Sequence, residues 1–374
     1  MLVLATASAR PSRGLPPTEP ATAVRVGSDG TVWLRHLAAP SGAEAVTRVA
    51  ADGARARFAS LRAAVEHDPE SLIRSGTLPG FWAVDPAGGV WVGGTRLAGG
   101  IWHAPAAPAA QLVDRVALDP AGRAWVPFDP AGACPSPVAC APAGLVAFTA
   151  DGGLAASVAP DFEPALSVRE LPMVHFPPLS ADPVAVLPHG LVRLSDGSVH
   201  AYAALSPDPA SGRRPAGFAS AAAVDPAGRP VAFLTLERDD PALPGGLRYD
   251  LLAHAWTGGG WDITDLSDNP LCAGHRQVPC IVTAAEFDGG DTLWLAVHSG
   301  GLVVRGSDGA WRSRYDSGNS PLRAGVAGIA IARDGTVWLA TADGGLTLRD
   351  GRWLPAGRWH LPAVWNGDRA GASR

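Results

Sequence analysis

Short apolar segments separated by glycine-containing turns dominate the pattern of hydrophobic and polar positions along this chain. An apolar strand leads into Asp-x-x-Gly or Asp-Gly, and a second apolar strand follows, in most copies with a central Trp. Asp and Gly favour tight hairpin turns, and a large apolar Trp on a strand suits packing between stacked sheets. The segments with this pattern are Ser28–Leu34, Asp85–Val92, Asp119–Val126, Asp225–Ala232, Asp291–Leu295 and Asp334–Leu339.

A second pair of strands, joined by another tight turn, follows the first pair. Clear copies are Gly300–Trp311 and Gly344–Trp353, and weaker copies are Gly144–Gly152 and Gly190–Gly197. One unit therefore contains four short strands, named A to D in chain order. Trp294 and Trp338 are 44 positions apart (338 − 294), the period of a four-stranded propeller blade.

Seven such units can be counted, and they predict an all-β fold, a seven-bladed β-propeller of four-stranded antiparallel blades. One blade cannot bury both of its faces, whereas a closed ring of blades can. A β-sandwich would not give this periodicity, and almost no helix is expected. The fourth unit lacks the Trp and takes Pro183–Leu187 as its B strand, and the fifth has an insertion around Arg238–Gly246. The units are 21–77, 78–111, 112–165, 166–213, 214–275, 276–322 and 323–357.

The domain boundaries follow from these units. Residues 21–357 are predicted to form the propeller, residues 1–20 an N-terminal tail or the remnant of a signal segment, and residues 358–374 a C-terminal tail. Met1–Ala9 is apolar and ends in Ala-Ser-Ala, which resembles the end of a secretory signal. The alternative is a plain tail or a closing β-strand.

Charge and hydropathy exclude two classes of partner. The net charge is −5, and all 30 basic residues are Arg, without a basic stripe along the chain. This argues against binding to nucleic acid or to an anionic membrane surface. No apolar run approaches the roughly 20 residues that a membrane-spanning helix needs. We expect a monomer without a membrane span.

Four cysteines form two local pairs, Cys134 with Cys140 and Cys272 with Cys280, and neither pair has CxxC spacing. Each pair brackets a proline-containing segment that can turn back on itself. Two disulfides are therefore predicted, which places the chain in an oxidising, extracytoplasmic compartment, periplasmic or secreted. The alternative is four free thiols in the cytosol.

Two segments, Ser75–Gly94 and Ser317–Thr341, run from a Ser-Gly loop containing a proline through an apolar strand and a turn to Trp. They resemble the repeat of two-component-regulator propellers, most closely in the second, sixth and seventh units. The resemblance implies a ligand-sensing role, because propellers of that family are often periplasmic sensing parts of histidine kinases. The sequence itself shows one propeller and no kinase or DNA-binding module.

The Asp-Gly-x-x-Trp segments also resemble propellers of the streptogramin-lyase type. Activity in that family implies a His and an acidic residue acting with a divalent metal. No matching pair can be assigned residue by residue in this chain.

Candidate site residues follow from propeller geometry. The B–C and D–A loops open on one face of the ring, while the A–B turns lie on the other and are expected to be structural. Residues soon after strand B are therefore the candidates for ligand binding, the alternative being that they are merely exposed or locally hydrogen-bonded. They are His36, Arg96, Asp129, His189, Glu237, His298 and Asp343.

The sequence predicts a binding function more strongly than a catalytic one, because HExxH, GxSxG, Walker and GxGxxG motifs are absent. The first hypothesis is an extracytoplasmic, sensor-like propeller that binds a small molecule, a glycan or a protein on the B–C/D–A face, with no cofactor or metal. The alternatives are a lyase or hydrolase using His and acidic residues at the channel mouth, and a protein-interaction scaffold. Catalytic residues cannot be assigned.

Overall fold

The computed structural model describes residues 20–38, 43–75, 80–105, 112–113, 115–129, 143–159, 174–176, 183–206, 216–273, 277–298, 300–323 and 325–355. They form seven antiparallel sheets, each within one of the seven predicted units. The fold is a seven-bladed β-propeller, as predicted. The other residues, including Cys134, Cys140 and both predicted tails beyond residues 20 and 355, lie outside the described residues.

Blades 1 to 3 are four-stranded, and their strands follow chain order from A to D. Blade 1 contains β1 (Ala21–Val26), β2 (Val32–Ala38), β3 (Ala43–Val49) and β4 (Arg55–Phe58). Blade 2 contains β5 (Trp82–Val84), β6 (Val90–Val92), β7 (Thr95–Ala98) and β8 (Ile101–His103). Blade 3 contains β9 (Ala117–Leu118), β10 (Ala124–Phe128), β11 (Gly144–Phe148) and β12 (Leu154–Val158).

In blade 4, the described residues form a sheet of three strands. These are β13 (Val184–Leu187), β14 (Gly190–Arg193) and β15 (Val199–Ala201), and β13 matches the predicted B strand. Where the A strand is expected, the described residues 174–176 contribute an isolated bridge, in which His175 and Val186 exchange both backbone hydrogen bonds. A short 3-10 helix, Ala203–Leu205, follows β15.

Blades 5 to 7 are again four-stranded. Blade 5 contains β16 (Gly217–Val224), β17 (Pro230–Asp239), β18 (Leu247–Trp256) and β19 (Trp261–Asp265). Blade 6 contains β20 (Val282–Phe287), β21 (Leu293–Val297), β22 (Gly301–Arg305) and β23 (Trp311–Asp316). Blade 7 contains β24 (Val326–Ile331), β25 (Val337–Thr341), β26 (Gly344–Arg349) and β27 (Arg352–Pro355).

Two short α-helices lie between blades 1 and 2, in a structure that otherwise consists almost entirely of strands and turns. They are α1 (Leu61–His67) and α2 (Pro69–Arg74). The Ser60 and Asp68 side chains cap their first turns by accepting hydrogen bonds from backbone N–H groups. The buried faces of both helices pack into the apolar cluster between blades 1 and 2. Helices this short lack a long periodic pattern, so their packing against the blades decides their structure.

The core is divided into seven apolar clusters, one at each blade interface, and these close the ring. Five Trp residues occupy equivalent B-strand positions, each opposite the A-strand residue that lies two positions before the A–B turn. Four of them are at most 3 % exposed, and Trp294 is half-buried, which confirms the predicted role in packing. They are Trp33, Trp91, Trp125, Trp294 and Trp338.

The ring closes between blade 7 and blade 1 by side-chain packing, since each described sheet contains only strands that are consecutive in the chain. Val24 of β1 packs with Trp338 and Ala340 of β25 at this joint. Gly328 of β24 lies against the β1 backbone, where an added Cβ would be 3.2 Å from the Val24 nitrogen. A side chain at position 328 would therefore push the two blades apart.

The disulfide Cys272–Cys280 is present, with a Cα–Cα distance of 5.8 Å, which confirms one of the two predicted bridges. It closes the loop between blades 5 and 6. The Thr235 hydroxyl of β17 donates a 2.7 Å hydrogen bond to the Cys280 carbonyl, so the bridged loop is fastened to blade 5.

Candidate functional site

The two faces of the ring differ in their connections. The A–B and C–D turns lie on one face, here called the turn face, and the B–C and D–A connections lie on the other, the loop face. Among the described residues, the longest paired strands of a B–C hairpin are those of blade 5, because β17 and β18 both have ten residues. This hairpin contains the predicted insertion at 238–246.

The seven predicted site residues are distributed one to a blade, in or near the B–C connections. Within the described residues, no group of three or more His, Cys, Asp or Glu side chains is arranged to hold a metal ion. His36, His189 and His298 therefore do not converge as a metal-binding trio.

Two of the predicted residues are buried in blade structure. His36 lies within β2, 6 % exposed, with its Nε2 3.1 Å from the Thr47 hydroxyl. Arg96 lies in β7 and forms an ion pair with Asp85, with 2.5 Å between Nε and Oδ2. It packs over Gly89, where an added Cβ would meet the guanidinium. These contacts give both side chains a role within their own blades.

Glu237 lies near the end of β17, on the long hairpin of blade 5. Its carboxylate accepts a 3.1 Å hydrogen bond from the Tyr249 hydroxyl, and this bond raises the pKa of Tyr249. Next to it, Asp250 is paired with both Arg238 and Arg248. The hairpin thus carries a connected network of charges that stiffens it.

The other four predicted residues lie at the ends of B–C connections. His189 is half-buried in the turn between β13 and β14, and Asp129 is half-buried after β10. His298 and Asp343 are exposed, and the backbone N–H of Asp343 donates to the Thr341 hydroxyl. Each belongs to a different blade, and their role in binding stays a prediction.

A group of polar side chains on the inner strands was not predicted. The A strands of neighbouring blades contact one another and so surround the central channel. Arg25 of β1, Arg115 just before β9, His175 of blade 4, Ser220 of β16 and Glu286 of β20 lie on this inner layer, all half-buried. We call these five residues the channel cluster.

Arg25 extends from blade 1 towards blade 2. Its guanidinium carbon lies 5.9 Å from the centre of the Phe81 ring. A Cβ added to Gly80 would lie 2.9 Å from Arg25 Nη2, so a glycine there leaves room for the guanidinium. Gly80 also has a φ of 122°, a conformation that suits glycine.

Glu286 carries the one strongly raised carboxyl pKa among the described residues. Burial raises the pKa of Glu286 to about 7, and the positive charge of Arg25 only partly opposes this shift. The carboxyl group has no hydrogen-bond or ion-pair partner within the described ranges. It is therefore close to its titration point at neutral pH.

His175 is neutral in the channel. Its pKa is lowered to about 3, with burial as the largest cause and the charges of Arg115 and Arg25 acting in the same direction. Its Nε2 lies 3.1 Å from the Ser220 carbonyl oxygen, which can only accept, so this nitrogen carries the hydrogen. The Ser220 hydroxyl is buried and has no hydrogen-bond partner in the described part of the chain.

Ser220 lies at a β-bulge that recurs in the inner strands. Four A strands have a register break at the same position, five residues before the A–B turn begins. A bulge leaves one residue unpaired and redirects its groups. The bulged residues are Thr22, Ser220, Thr283 and Ala327.

One sequence signal could have identified Arg25 and Glu286. Both face the repeated Trp position across the A–B hairpin, Arg25 opposite Trp33 and Glu286 opposite Trp294. The other four-stranded blades have alanine at this inner position. These alanines are Ala83, Ala117, Ala223 and Ala330. Aligning the A strands instead of the loops shows two charges where alanine is the rule.

An open cleft of about 330 Å³ lies on the turn face at the joint of blades 1 and 7, between Asp29, Arg333 and Arg349. No helix among the described residues is long and apolar enough to cross a membrane.

Neither a protein-family model nor a curated protein matches the sequence. Among solved structures, a streptogramin B lyase is similar with a TM-score of 0.53 and 15 % identity, over 88 % of this chain and 93 % of that one. The extracellular domain of a one-component system from B. thetaiotaomicron has a TM-score of 0.49 and 11 % identity, over 88 % of this chain and 38 % of that one. The β-propeller domain of the Trilobed protease from Pyrococcus furiosus, with an open velcro topology, has a TM-score of 0.47 and 10 % identity, over 92 % of this chain and 99 % of that one. At 15 % identity, the similarity to the streptogramin B lyase establishes the propeller fold alone.

Proposed function

We propose that this protein is an extracytoplasmic, sensor-like binding propeller that takes a small anionic molecule in its central channel. The observation that carries the proposal is the channel cluster. Arg25 and Arg115 bring two permanent positive charges to the inner layer, and guanidinium groups suit carboxylate or phosphate. Ser220, whose carbonyl oxygen lies 3.1 Å from His175 Nε2, adds a buried hydroxyl that has no hydrogen-bond partner among the described residues.

A binding role fits the chemistry of the cluster better than a catalytic one. His175 has a pKa of about 3 and is a poor proton acceptor near neutral pH. Its proton-bearing nitrogen is already engaged by the Ser220 carbonyl. Within the channel cluster, Glu286 alone has a pKa suited to acid–base chemistry. The loop-face residues Asp129, His189, Glu237, His298 and Asp343 remain candidates for contacts with a larger ligand or a partner protein.

Titration with small anions tests the binding proposal. The probes are acetate, succinate, citrate and inorganic phosphate, with glucose as the neutral comparison, measured by calorimetry and by thermal shift. We expect at least one anion to bind and glucose not to. Arg25→Gln should lower the affinity at least tenfold, whereas Arg333→Gln, the same change at an exposed residue of the turn face, should have no effect. Equal binding by the two variants would contradict a role for the channel.

The extracytoplasmic assignment is supported by the Cys272–Cys280 bridge, because disulfides persist in oxidising compartments. Thiol titration of denatured, unreduced protein purified from its native host tests it. We expect no thiol reaction at Cys272 or Cys280, read by mass spectrometry of the alkylated peptides. Alkylation of both cysteines would contradict the assignment, whatever the outcome of the anion titrations.

A further inference from the structure

The channel cluster is electrically polarised across the ring. Arg115 belongs to blade 3, and Arg25 reaches from blade 1 towards Phe81 and Gly80 of blade 2. Glu286 belongs to blade 6, which in a ring of seven lies across the channel from blades 2 and 3. One side of the channel therefore presents guanidinium groups and the opposite side presents a carboxyl group.

The Glu286 carboxyl group lacks the hydrogen-bond donors that surround the buried carboxyl group of Asp85. Asp85, for comparison, accepts hydrogen bonds from Trp91 and Arg96 and from two backbone N–H groups. Within the described residues, Glu286 has no hydrogen-bond donor, and Arg25 acts on it only through its charge. Its side chain is half-buried on the inner strand of blade 6, so we expect a ligand in the channel to supply the missing donor. An acid left in this state is costly unless something pairs with it.

We infer that the ligand of the channel is a small zwitterion of the amino-acid class, with its carboxylate towards Arg25 and Arg115 and its ammonium group towards Glu286. This inference rests on the proposed anion-binding function and specifies its ligand. The two charged ends of such a molecule match the two sides of the channel. A plain anion would satisfy only the arginine side and leave Glu286 without a donor.

Binding of the zwitterion should change the protonation state of Glu286. Free Glu286 is about half protonated at neutral pH, because burial raises its pKa to about 7. An ammonium group beside it favours the ionised form, so binding of the zwitterion releases a proton. Affinity for the zwitterion therefore rises with pH between 6 and 8. A plain anion would bind more tightly as the pH falls, because it prefers the protonated carboxyl group.

Matched probes separate the two ends of the ligand. We propose calorimetric titration with ω-amino acids of two to six carbons, each beside the carboxylic acid that lacks the amine and the amine that lacks the carboxylate. At pH 7.5 we expect the best amino acid to bind at least tenfold more tightly than its matched acid. The affinity should increase from pH 6 to pH 8, with proton release visible as a dependence of the heat on buffer ionisation.

Two variants assign the ends of the ligand. Glu286→Gln should remove the preference for the amino acid over its matched acid and flatten the pH dependence, while the acid still binds. Arg25→Gln should weaken both probes. Glu70→Gln, the same change at an exposed glutamate of α2, is the control and should leave all affinities unchanged.

The failure modes are distinct. If the matched acids bind and the amine adds nothing, or if Glu286→Gln keeps the preference, the zwitterion inference is wrong and anion binding stands. If no carboxylate binds to the folded protein at any pH, both proposals are wrong. Thermal unfolding of each variant shows whether a loss of binding reflects a loss of fold.

Discussion

Two carboxyl groups near the A–B turns of different blades have pKa values that are shifted in opposite directions. Asp85 begins the A–B turn of blade 2 and is 5 % exposed. Burial raises its pKa, but the hydrogen bonds from Arg96, Gly89 and Trp91 and the Arg96 charge outweigh burial and lower it. Glu286 lies two positions before the same turn in blade 6, and there burial outweighs the charge of Arg25 and raises the pKa to about 7.

The difference shows how a structural acid is distinguished from a candidate functional one. The donors of Asp85 are fixed by its own hairpin, because the turn supplies backbone N–H groups and the next strands supply Trp91 and Arg96. Blade 3 repeats this arrangement with Asp119, which accepts from Trp125 and Arg123. Glu286 has no such local set among the described residues, so its pairing is left to the channel. A satisfied acid stabilises a blade, whereas an unsatisfied one is available to a ligand.

The largest expected effect comes from removing the structural acid. Asp85→Ala leaves the buried Arg96 guanidinium and the Trp91 indole without their acceptor, and should lower the free energy of unfolding by about 3–5 kcal/mol. Glu286→Gln should change it by less than about 1 kcal/mol at pH 5, where the native carboxyl group is also neutral. Urea denaturation of both variants gives the comparison.

Asp119→Ala provides an independent copy of the structural change and should have an effect of similar size. Asp343→Ala, at an exposed acid, is the matched control. If Asp85→Ala and Asp119→Ala were as mild as the control, the proposed division between structural and channel acids would fail.

The next effect is a pH dependence that belongs to Glu286. Its pKa is raised in the folded state, so the folded protein holds a proton that the unfolded chain loses above its ordinary pKa of 4.5. Stability should therefore fall as the pH rises from 4.5 to about 7, by up to roughly 3 kcal/mol for a shift of this size. As the pH rises through this window, the unfolding midpoint of the Glu286→Gln variant should increase relative to that of the native protein. A constant difference would show that Glu286 has an ordinary pKa.

His175 should show the opposite slope and so sharpen the same comparison. Its pKa is lowered to about 3, so below its ordinary value of 6.5 the unfolded chain takes up a proton that the folded ring does not. Stability is then complete above pH 6.5 and falls as the pH drops, by roughly 2 kcal/mol near pH 5. His175→Gln should remove this loss. Between pH 5 and 6.5, the free energy of unfolding of the variant should therefore have a more negative slope against pH than that of the native protein. Parallel curves for the two proteins would contradict a neutral, buried His175.

The sequence predicted the blades but not the channel cluster, and the reason is physical. Turn residues and the packed Trp recur in every strong blade, so their pattern predicts strands, blade number and the position of β13 in a blade without Trp. The channel cluster brings together residues from five blades that are far apart in sequence, and no local pattern records that proximity. The helices α1 and α2 were missed because tertiary packing, not periodicity, stabilises them.

Predictions based on single loops had a similar limit. Arg96 follows strand B in the sequence as expected, yet its side chain turns to Asp85 because Gly89 leaves space for it. His36 lies inside the sheet, since β2 extends two residues beyond it. The Cys272–Cys280 bridge was predictable because eight residues with a proline can close on themselves. Side-chain direction in a loop has no comparable local signature.

The smallest expected effect comes from comparing two buried Trp side chains, one that donates a hydrogen bond to an acid and one that does not. Trp91 donates its indole N–H to Asp85, at 3.0 Å, whereas the buried Trp33 indole nitrogen of blade 1 has no hydrogen-bond partner in the described residues. Blade 1 has Gly27 at the position of Asp85, so it offers no carboxylate. Both Trp side chains are fully buried, and Trp→Phe removes a similar volume from each site. Trp91→Phe also loses a hydrogen bond to a charged acceptor, so it should cost about 1–2 kcal/mol more than Trp33→Phe. Unfolding by urea, compared at one pH above 6, measures the difference. Equal costs would show that the Asp85–Trp91 hydrogen bond adds nothing to packing, and that Asp85 owes its low pKa to Arg96 and the backbone of the turn.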